Sequence, residues 1–332
     1  MFRNLVAFLR RFDVPVLCMT ATLVPSRRKQ LEEVGLKVFP DEQERSELED
    51  LAAAEAHPRY RRSHVRAAEE ALDHAVRAHE AGKRVLWVVN TVGRCQAQVA
   101  ALAARTGSRP LCYHSRFRLL DRKRRHAEVV AAFKTGAAPA IAVTTQVCEM
   151  SLDLDADVLV TELAPGSSLV QRFGRANRHT KGKPAGFQAE LIVYAPEKVL
   201  PYQKEDISDA ERMLAALPDE GLSQRDLAEA LEKLGTREGV VRPGATFLDS
   251  GIYAIPGSFR DEDAFGESAV WQRDVPAVVS AARARKPLVE WIIPVPARAG
   301  ARSDEPDFPA YLRIIPDERY STELGFIVEG ST

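Results

Sequence analysis

Arg84-Val85-Leu86-Trp87-Val88-Val89-Asn90 is the stretch on which the fold turns: an apolar run closed at both ends by polar residues. It reads as a strand, and helical patterns flank it at 67–81 and 93–106. Further along come a strand at 110–114, a helix at 120–134, a strand at 139–144 and a short helix from Gln146. A strand at 156–162, a helix at 168–173 and a strand at 188–194 complete the series. Apolar strands alternating with amphipathic helices predict an α/β domain, a mainly parallel sheet with helices on both faces.

Outside this series the patterns are weaker. Leu5, Phe8, Leu9 and Phe12 share one helical face, and residues 14–19 form a continuous apolar run expected to be a buried parallel strand ending in Thr20-Ala21-Thr22. Pro25-Ser26 then suits a helix start. Asp, Glu, Arg and Ala dominate residues 41–62, which read as a linker with some helix. Beyond Pro196 a polar helical stretch at 208–234 precedes β-like segments, clearest at 246–255, 288–295 and 311–315. The expected organisation is 1–40, a fragment of one α/β lobe; 41–63, a linker; 64–196, a complete lobe; and 197–332, a helical connector and small accessory domain.

At 332 residues the chain exceeds one usual core, so two domains or one with appendages are expected. A formal net charge of −1 offers no global basic field, so any nucleic-acid site must be local. Cys18, Cys95, Cys112 and Cys148 are scattered without metal spacing and read as reduced thiols of a cytoplasmic protein. No stretch reaches the roughly 20 apolar residues that span a bilayer. A soluble protein without membrane partners is expected.

Three stretches carry chemistry. Gln171-Arg172-Phe173-Gly174-Arg175-Ala176-Asn177-Arg178 gathers arginines whose planar, permanently charged forks suit phosphate oxygens. Gly174 inside a helix would cost about 1 kcal/mol, which a close approach would explain. Thr144, Thr145 and Gln146 lie at a strand-to-helix junction, where hydroxyls and free backbone N–H groups can hold a phosphate. His114-Ser115-Arg116-Phe117-Arg118 lies at the carboxyl end of a strand, where α/β sheets place ligands, and combines phosphate-binding with stacking groups. Thr91 reads either as the cap of the next helix or as a backbone contact.

In order, Thr20-Ala21-Thr22, Asn90-Thr91-Val92, the run from Val143 to Asp153, and the arginine stretch resemble motifs III, IV, V and VI of superfamily 2 helicases. His114-Ser115-Arg116-Phe117, Leu152-Asp153-Leu154-Asp155 and Leu163-Ala164-Pro165 resemble the type I CRISPR-associated helicase-nucleases. The resemblance implies a second RecA-like lobe, a fragment of the first and a C-terminal accessory domain. It implies that Arg175 and Arg178 reach the phosphates of ATP bound with Mg2+, that Gln171 meets the acidic motif or attacking water, and that Asp153 approaches the ribose and steadies the arginines. Ser115, Arg116, Arg118, Thr91, Thr144, Thr145 and Gln146 would face single-stranded DNA. Implied partners are the first RecA-like lobe, a nuclease segment and a CRISPR RNA-guided surveillance complex.

A phosphate loop and an acidic magnesium motif are missing from the pattern. Gly82-Lys83 and Gly182-Lys183 lack the earlier glycine and the following hydroxyl, and Asp41-Glu42-Gln43-Glu44 reads as solvated linker. No His-Asp dipeptide occurs, so no metal site is expected. The expected activity is ATP-driven translocation on single-stranded DNA when the ATP-binding lobe is supplied, and none alone. A non-catalytic nucleic-acid-binding or regulatory remnant, or another superfamily 2 helicase, are the alternatives.

Overall fold

The computed structural model describes residues 2–19, 25–40, 44, 48–149, 152–234 and 266–328. The chain divides into two units, one of residues 1–57 with 223–265 and one of 58–222 with 266–332. In chain order the first unit begins with helices α1 (Phe2–Arg11), α2 (Pro25–Glu33) and α3 (Glu49–Ala56). The second unit follows with β1 (Tyr60–His64), α4 (Ala68–Glu80), β2 (Val85–Val88), α5 (Val92–Thr106), β3 (Leu111–Tyr113) and α6 (Leu119–Ala132). It continues through β4 (Ile141–Thr144), β5 (Val158–Glu162), α7 (Gly166–Phe173), β6 (Ala189–Tyr194) and α8 (Lys204–Ala215). Helix α9 (Gln224–Leu234) belongs to the first unit. The second then resumes with β7 (Glu267–Trp271), α10 (Val275–Arg283), β8 (Ile293–Val295), β9 (Arg313–Ile315), β10 (Tyr320–Ser321) and β11 (Gly325–Phe326).

In the first unit α3 packs on α9, and Arg225 Nη2 donates to the Ala52 carbonyl at 2.9 Å. The strand expected at 14–19 is not one: the segment has no regular structure, and Leu17 and Met19 are 83% and 87% exposed. An apolar run becomes a strand only where a neighbouring strand takes its backbone hydrogen bonds, and here the Val14 backbone N turns back to the Leu9 carbonyl of α1 at 3.1 Å. Thr20-Ala21-Thr22, Asp41-Glu42-Gln43 and residues 246–255 lie outside the described residues.

The large sheet has the order β1-β6-β5-β2-β4-β3, every pair parallel. Three of its four inner strands, β2, β4 and β5, are buried along their whole length, as a sheet covered on both faces requires. Val85, Trp87 and Val89 face one side with Ile141, Val143, Val158 and Val160, where Leu72 and Val76 of α4 and Val99 and Leu102 of α5 cover them. Trp87 Nε1 donates to Tyr194 Oη at 3.0 Å, so this deepest aromatic leaves no unpaired donor. Strand β1 lies partly in the stretch read as linker. An edge strand with Arg, Arg, Ser and His in succession carries no apolar alternation to announce it.

A buried ion pair staples β2 to β5. Arg84 donates through Nε and its backbone N to Asp157 Oδ2, both at 3.0 Å, and through Nη2 to Oδ1 at 2.8 Å. Burial works against the Asp157 carboxylate, but the Arg84 hydrogen bonds outweigh it and hold the group below its ordinary pKa.

After α9 the chain builds a three-stranded sheet, β8-β7-β9, and the hairpin β10–β11. Both rest on one small core of Trp271, Ile293, Val295, Ile315, Tyr320 and Phe326. This module is bonded to the lobe. Gln96 on α5 donates through Nε2 to the Leu324 and Phe326 carbonyls at 2.8 and 2.7 Å and accepts from the Val328 backbone at 3.1 Å. Tyr320 Oη donates to Asp121 Oδ2 at 2.8 Å and accepts from the Arg118 backbone at 3.1 Å. The Phe326 backbone N donates to the Arg116 carbonyl at 2.8 Å. The hairpin turn passes so close that a Cβ on Gly325 would stand 2.6 Å from the Arg116 carbonyl oxygen, at a φ of +67°.

Asp157→Asn is expected to destabilise the chain by about 2 kcal/mol near neutral pH in denaturant titrations, the range for hydrogen bonds to a charged group. Because the folded pKa lies below the unfolded value of about 4, that stabilisation is present above this value and lost as pH falls through the folded one, so the two melting curves converge in acid. Gly325→Ala, which combines a positive φ with a clash against backbone, is expected to destabilise by about 2 kcal/mol or more and to raise amide exchange at 114–118 and 320–328 together.

Candidate nucleotide and strand site

Helix α7 carries the arginine stretch and ends at Phe173, with Gly174 as its C-cap at a right-handed φ of −63°. A Cβ there would meet nothing nearer than the Gln171 carbonyl at 3.4 Å, an ordinary contact. The close approach expected at Gly174 is therefore not needed within the described residues, because the glycine stands where the helix stops. Residues 175–177 then run beside Ala156, with Ala156 N donating to Arg175 O and Asn177 N to Ala156 O.

The three arginines have different environments. Arg172 is wholly buried and has four partners: Nε donates to Glu149 Oε1 at 2.8 Å, Nη1 to Thr161 Oγ1 at 2.9 Å and the Glu162 carbonyl at 3.1 Å, and Nη2 to Tyr202 Oη at 3.3 Å. Arg175 is half-buried and grips the motif V loop, Nη1 on Leu152 O and Nη2 on Glu149 O, both at 2.6 Å. Burial, with Arg178 nearby, lowers its pKa, and its buried Nε has no partner. Arg178 is exposed, with Nε 2.8 Å from Asp153 Oδ1. His179 Nε2 lies 3.0 Å from the same oxygen. Gln171 is half-buried at the same helix, and no described residue bonds its side chain. The turn after the helix thus brings Arg175 and Arg178 to the loop that carries Asp153.

Asp155 underlies this corner. Its buried carboxylate accepts from the Arg178 backbone at 2.8 Å, Lys183 Nζ at 2.7 Å and Thr135 Oγ1 at 3.1 Å. Lys183, from a pair lacking the phosphate-loop pattern, is a structural counter-ion. Among the described residues no three His, Cys, Asp or Glu side chains gather to hold a metal ion.

The second group lies toward the carboxyl ends of the strands. Thr144 and Thr145 are 0% and 3% exposed, and Thr144 Oγ1 donates to the Thr145 carbonyl at 3.3 Å. Arg118 is likewise occupied, with Nε 2.5 Å from Asp121, Nη1 2.5 Å from Asp274, and its guanidinium 5.2 Å from the Trp271 ring centroid. The two threonine side chains are thus enclosed, and Arg118 is engaged by a carboxylate 156 residues further along the chain.

Ser115 is exposed, and the Arg116 guanidinium is half-buried without an ion pair to any described residue, burial alone lowering its pKa. His114 is buried, stacks on Phe117 at 4.6 Å, accepts from the Arg116 backbone at Nδ1 and donates from Nε2 to Leu324 O at 2.9 Å. It is therefore the neutral tautomer that orders the loop. Thr91 caps α5 by accepting from the Arg94 backbone at 3.3 Å. Gln146 Nε2 donates to the Asn90 carbonyl at 2.8 Å and to Tyr202 Oη at 3.3 Å.

Glu149, Asp155, Tyr202 and Gln96 matter here without having been singled out from the sequence. Glu149 and Asp155 lay inside stretches already of interest, and their carboxylates were the available signal. Nothing in the pattern around Tyr202 or Gln96 marks them.

Comparison with known proteins fits this geometry. Residues 81–181 match the family model described as CRISPR-associated nuclease/helicase Cas3, C-terminal. The chain is 40% identical over 263 residues to a putative CRISPR-associated nuclease/helicase Cas3 of Myxococcus xanthus, covering 79% of this chain and 34% of that one. Its fold is similar to T. fusca Cas3-ADP, with a TM-score of 0.68 at 19% identity over 98% of this chain and 50% of that one. A chain of a CRISPR RNA-guided surveillance complex in a pre-nicking state gives 0.67 at 19% identity, over 98% of this chain and 55% of that one. The chain spans about a third of that curated relative's length and about half that of the solved chains. Fold and sequence kinship together support a C-terminal Cas3 helicase region as what this chain is similar to.

Proposed function

We propose that this chain is the arginine-bearing half of an ATP-dependent helicase that moves along single-stranded DNA in type I CRISPR interference. The observation that carries the reading is the division of labour between helix α7 and the turn that follows it: Arg172 buried in the core, Arg175 locked onto the motif V loop, and Arg178 exposed, held at 2.8 Å by Asp153. An exposed cation steadied by a carboxylate can swing onto a phosphoryl group whose charge grows in the transition state. ATP and Mg2+ would be held by a first RecA-like lobe with a phosphate loop and acidic motif, and this chain would add Arg175, Arg178 and Gln171, with Asp153 near the ribose. The strand would be met by Ser115, Arg116, Thr91 and Gln146. The relatives support the partners: T. fusca Cas3 is known with ADP, ATP and AMPPNP, and one similar chain belongs to a surveillance complex. Among the described residues no helix is long and apolar enough to cross a membrane, in keeping with a cytoplasmic place of action.

Alone, the chain is expected to hydrolyse no ATP; mixed with a lobe carrying the phosphate loop and acidic motif, it is expected to confer DNA-stimulated hydrolysis. Arg178→Ala should lower that rate on the order of 10^3-fold without altering the melting temperature. An unchanged rate refutes the assignment, and DNA binding with no turnover by the wild-type pair favours a non-catalytic binding module. Arg116→Ala is expected to weaken binding of unrelated single strands equally and to reduce the slope of log affinity against log salt by about 0.7, the value for one lost phosphate contact.

A further inference from the structure

One contact of the buried arginine leads outside every motif. Tyr202 Oη accepts from Arg172 Nη2 and from Gln146 Nε2, each at 3.3 Å, so one hydroxyl joins the strand-side loop to the arginine helix. On the far side of Arg172, Glu149 takes Nε on its carboxylate at 2.8 Å, and the Glu149 carbonyl takes Arg175 Nη2 at 2.6 Å. A continuous polar line therefore runs Gln146, Tyr202, Arg172, Glu149, Arg175, from the residue nearest the proposed strand to one aimed at the nucleotide.

The segment bearing Tyr202 is held in place. Arg94 donates through Nη2 to the Lys198 and Leu200 carbonyls at 2.9 and 2.8 Å while its Nη1 lies 2.6 Å from Glu162 Oε2. The same Glu162 oxygen accepts from the Asn90 backbone at 2.6 Å, the Asn90 carbonyl accepts from Gln146, and the Glu162 carbonyl accepts from Arg172. The contacts close into a ring. A wholly buried guanidinium cannot exchange partners without leaving a charge unpaired, so a shift at the hydroxyl passes along the line instead of being absorbed. Both lone pairs of the hydroxyl are occupied, and its own proton meets no acceptor among the described residues.

We propose that Tyr202 is a positioning residue that couples strand engagement at Gln146 to the placement of Arg175, and so sets how far DNA accelerates ATP hydrolysis. This rests on the function proposed above. Tyr202→Phe keeps the ring and removes only the hydroxyl. In the chain paired with a phosphate-loop lobe, the variant should keep the DNA-free ATPase rate and the KM for ATP while the stimulation by single-stranded DNA falls about fivefold or more, the scale of a typical coupling between sites. Unchanged stimulation overturns the inference, as does an equal loss of basal and stimulated rates. A wild-type pair that shows no stimulation overturns the proposed function itself and the coupling with it. Amide exchange of the chain by itself supplies a readout independent of turnover. Tyr202→Phe should speed exchange in both 146–149 and 169–175 and leave 85–89 protected. Faster exchange confined to the surroundings of residue 202, or spread through the whole sheet, overturns it.

Discussion

A positive charge wholly enclosed by protein, that of Arg172, is the constraint around which the helicase lobe is arranged. Removing a guanidinium from water is tolerable only if its nitrogens find acceptors, and here all three do, on four residues: Glu149, Thr161, Glu162 and Tyr202. Meeting that demand fixes the short helix of motif V against β5 and α7. Arg175 can then bind the two carbonyls of the same loop, and Arg178 is left at the surface with Asp153. One residue type thus serves three purposes within seven consecutive residues, with burial deciding which.

A second theme is that motif residues and fold determinants overlap. The His114–Arg118 loop carries groups suited to a nucleic acid, yet His114 and Arg118 hold the C-terminal module and only Ser115 and Arg116 face outward with unengaged side chains. The module is bonded to the lobe it follows, through Gln96, Asp121 and the backbone of Arg116. A loop ordered in this way presents its cation at a defined place, which lowers the entropy lost on binding a strand.

How legible this was depended on distance along the chain. The parallel sheet could be read because each buried strand is a short apolar run between amphipathic helices, and the run from 85 to 89 is unambiguous. Edge strand β1, with its charged composition, was not readable, and the run at 14–19 misled because pairing is not a property of one segment. At the site, the arginines and Asp153 could be grouped because they lie close together in sequence. The burial of Thr144 and Thr145 and the pairing of Arg118 could not be read, since they depend on distant partners such as Asp274, which is 156 residues from Arg118. Tyr202 and Gln96 stayed hidden for the same reason: a single side chain meeting distant groups leaves no local pattern.

The clasp between hairpin and loop also has a meaning in time. His114 binds a carbonyl 210 residues further along, and Gln96 one 228 residues along. At the usual pace of synthesis, about 5–20 residues per second, the loop emerges on the order of ten seconds or more before its clasp does. The contacts between loop and hairpin are therefore among the last to form, after every strand of the large sheet has been made.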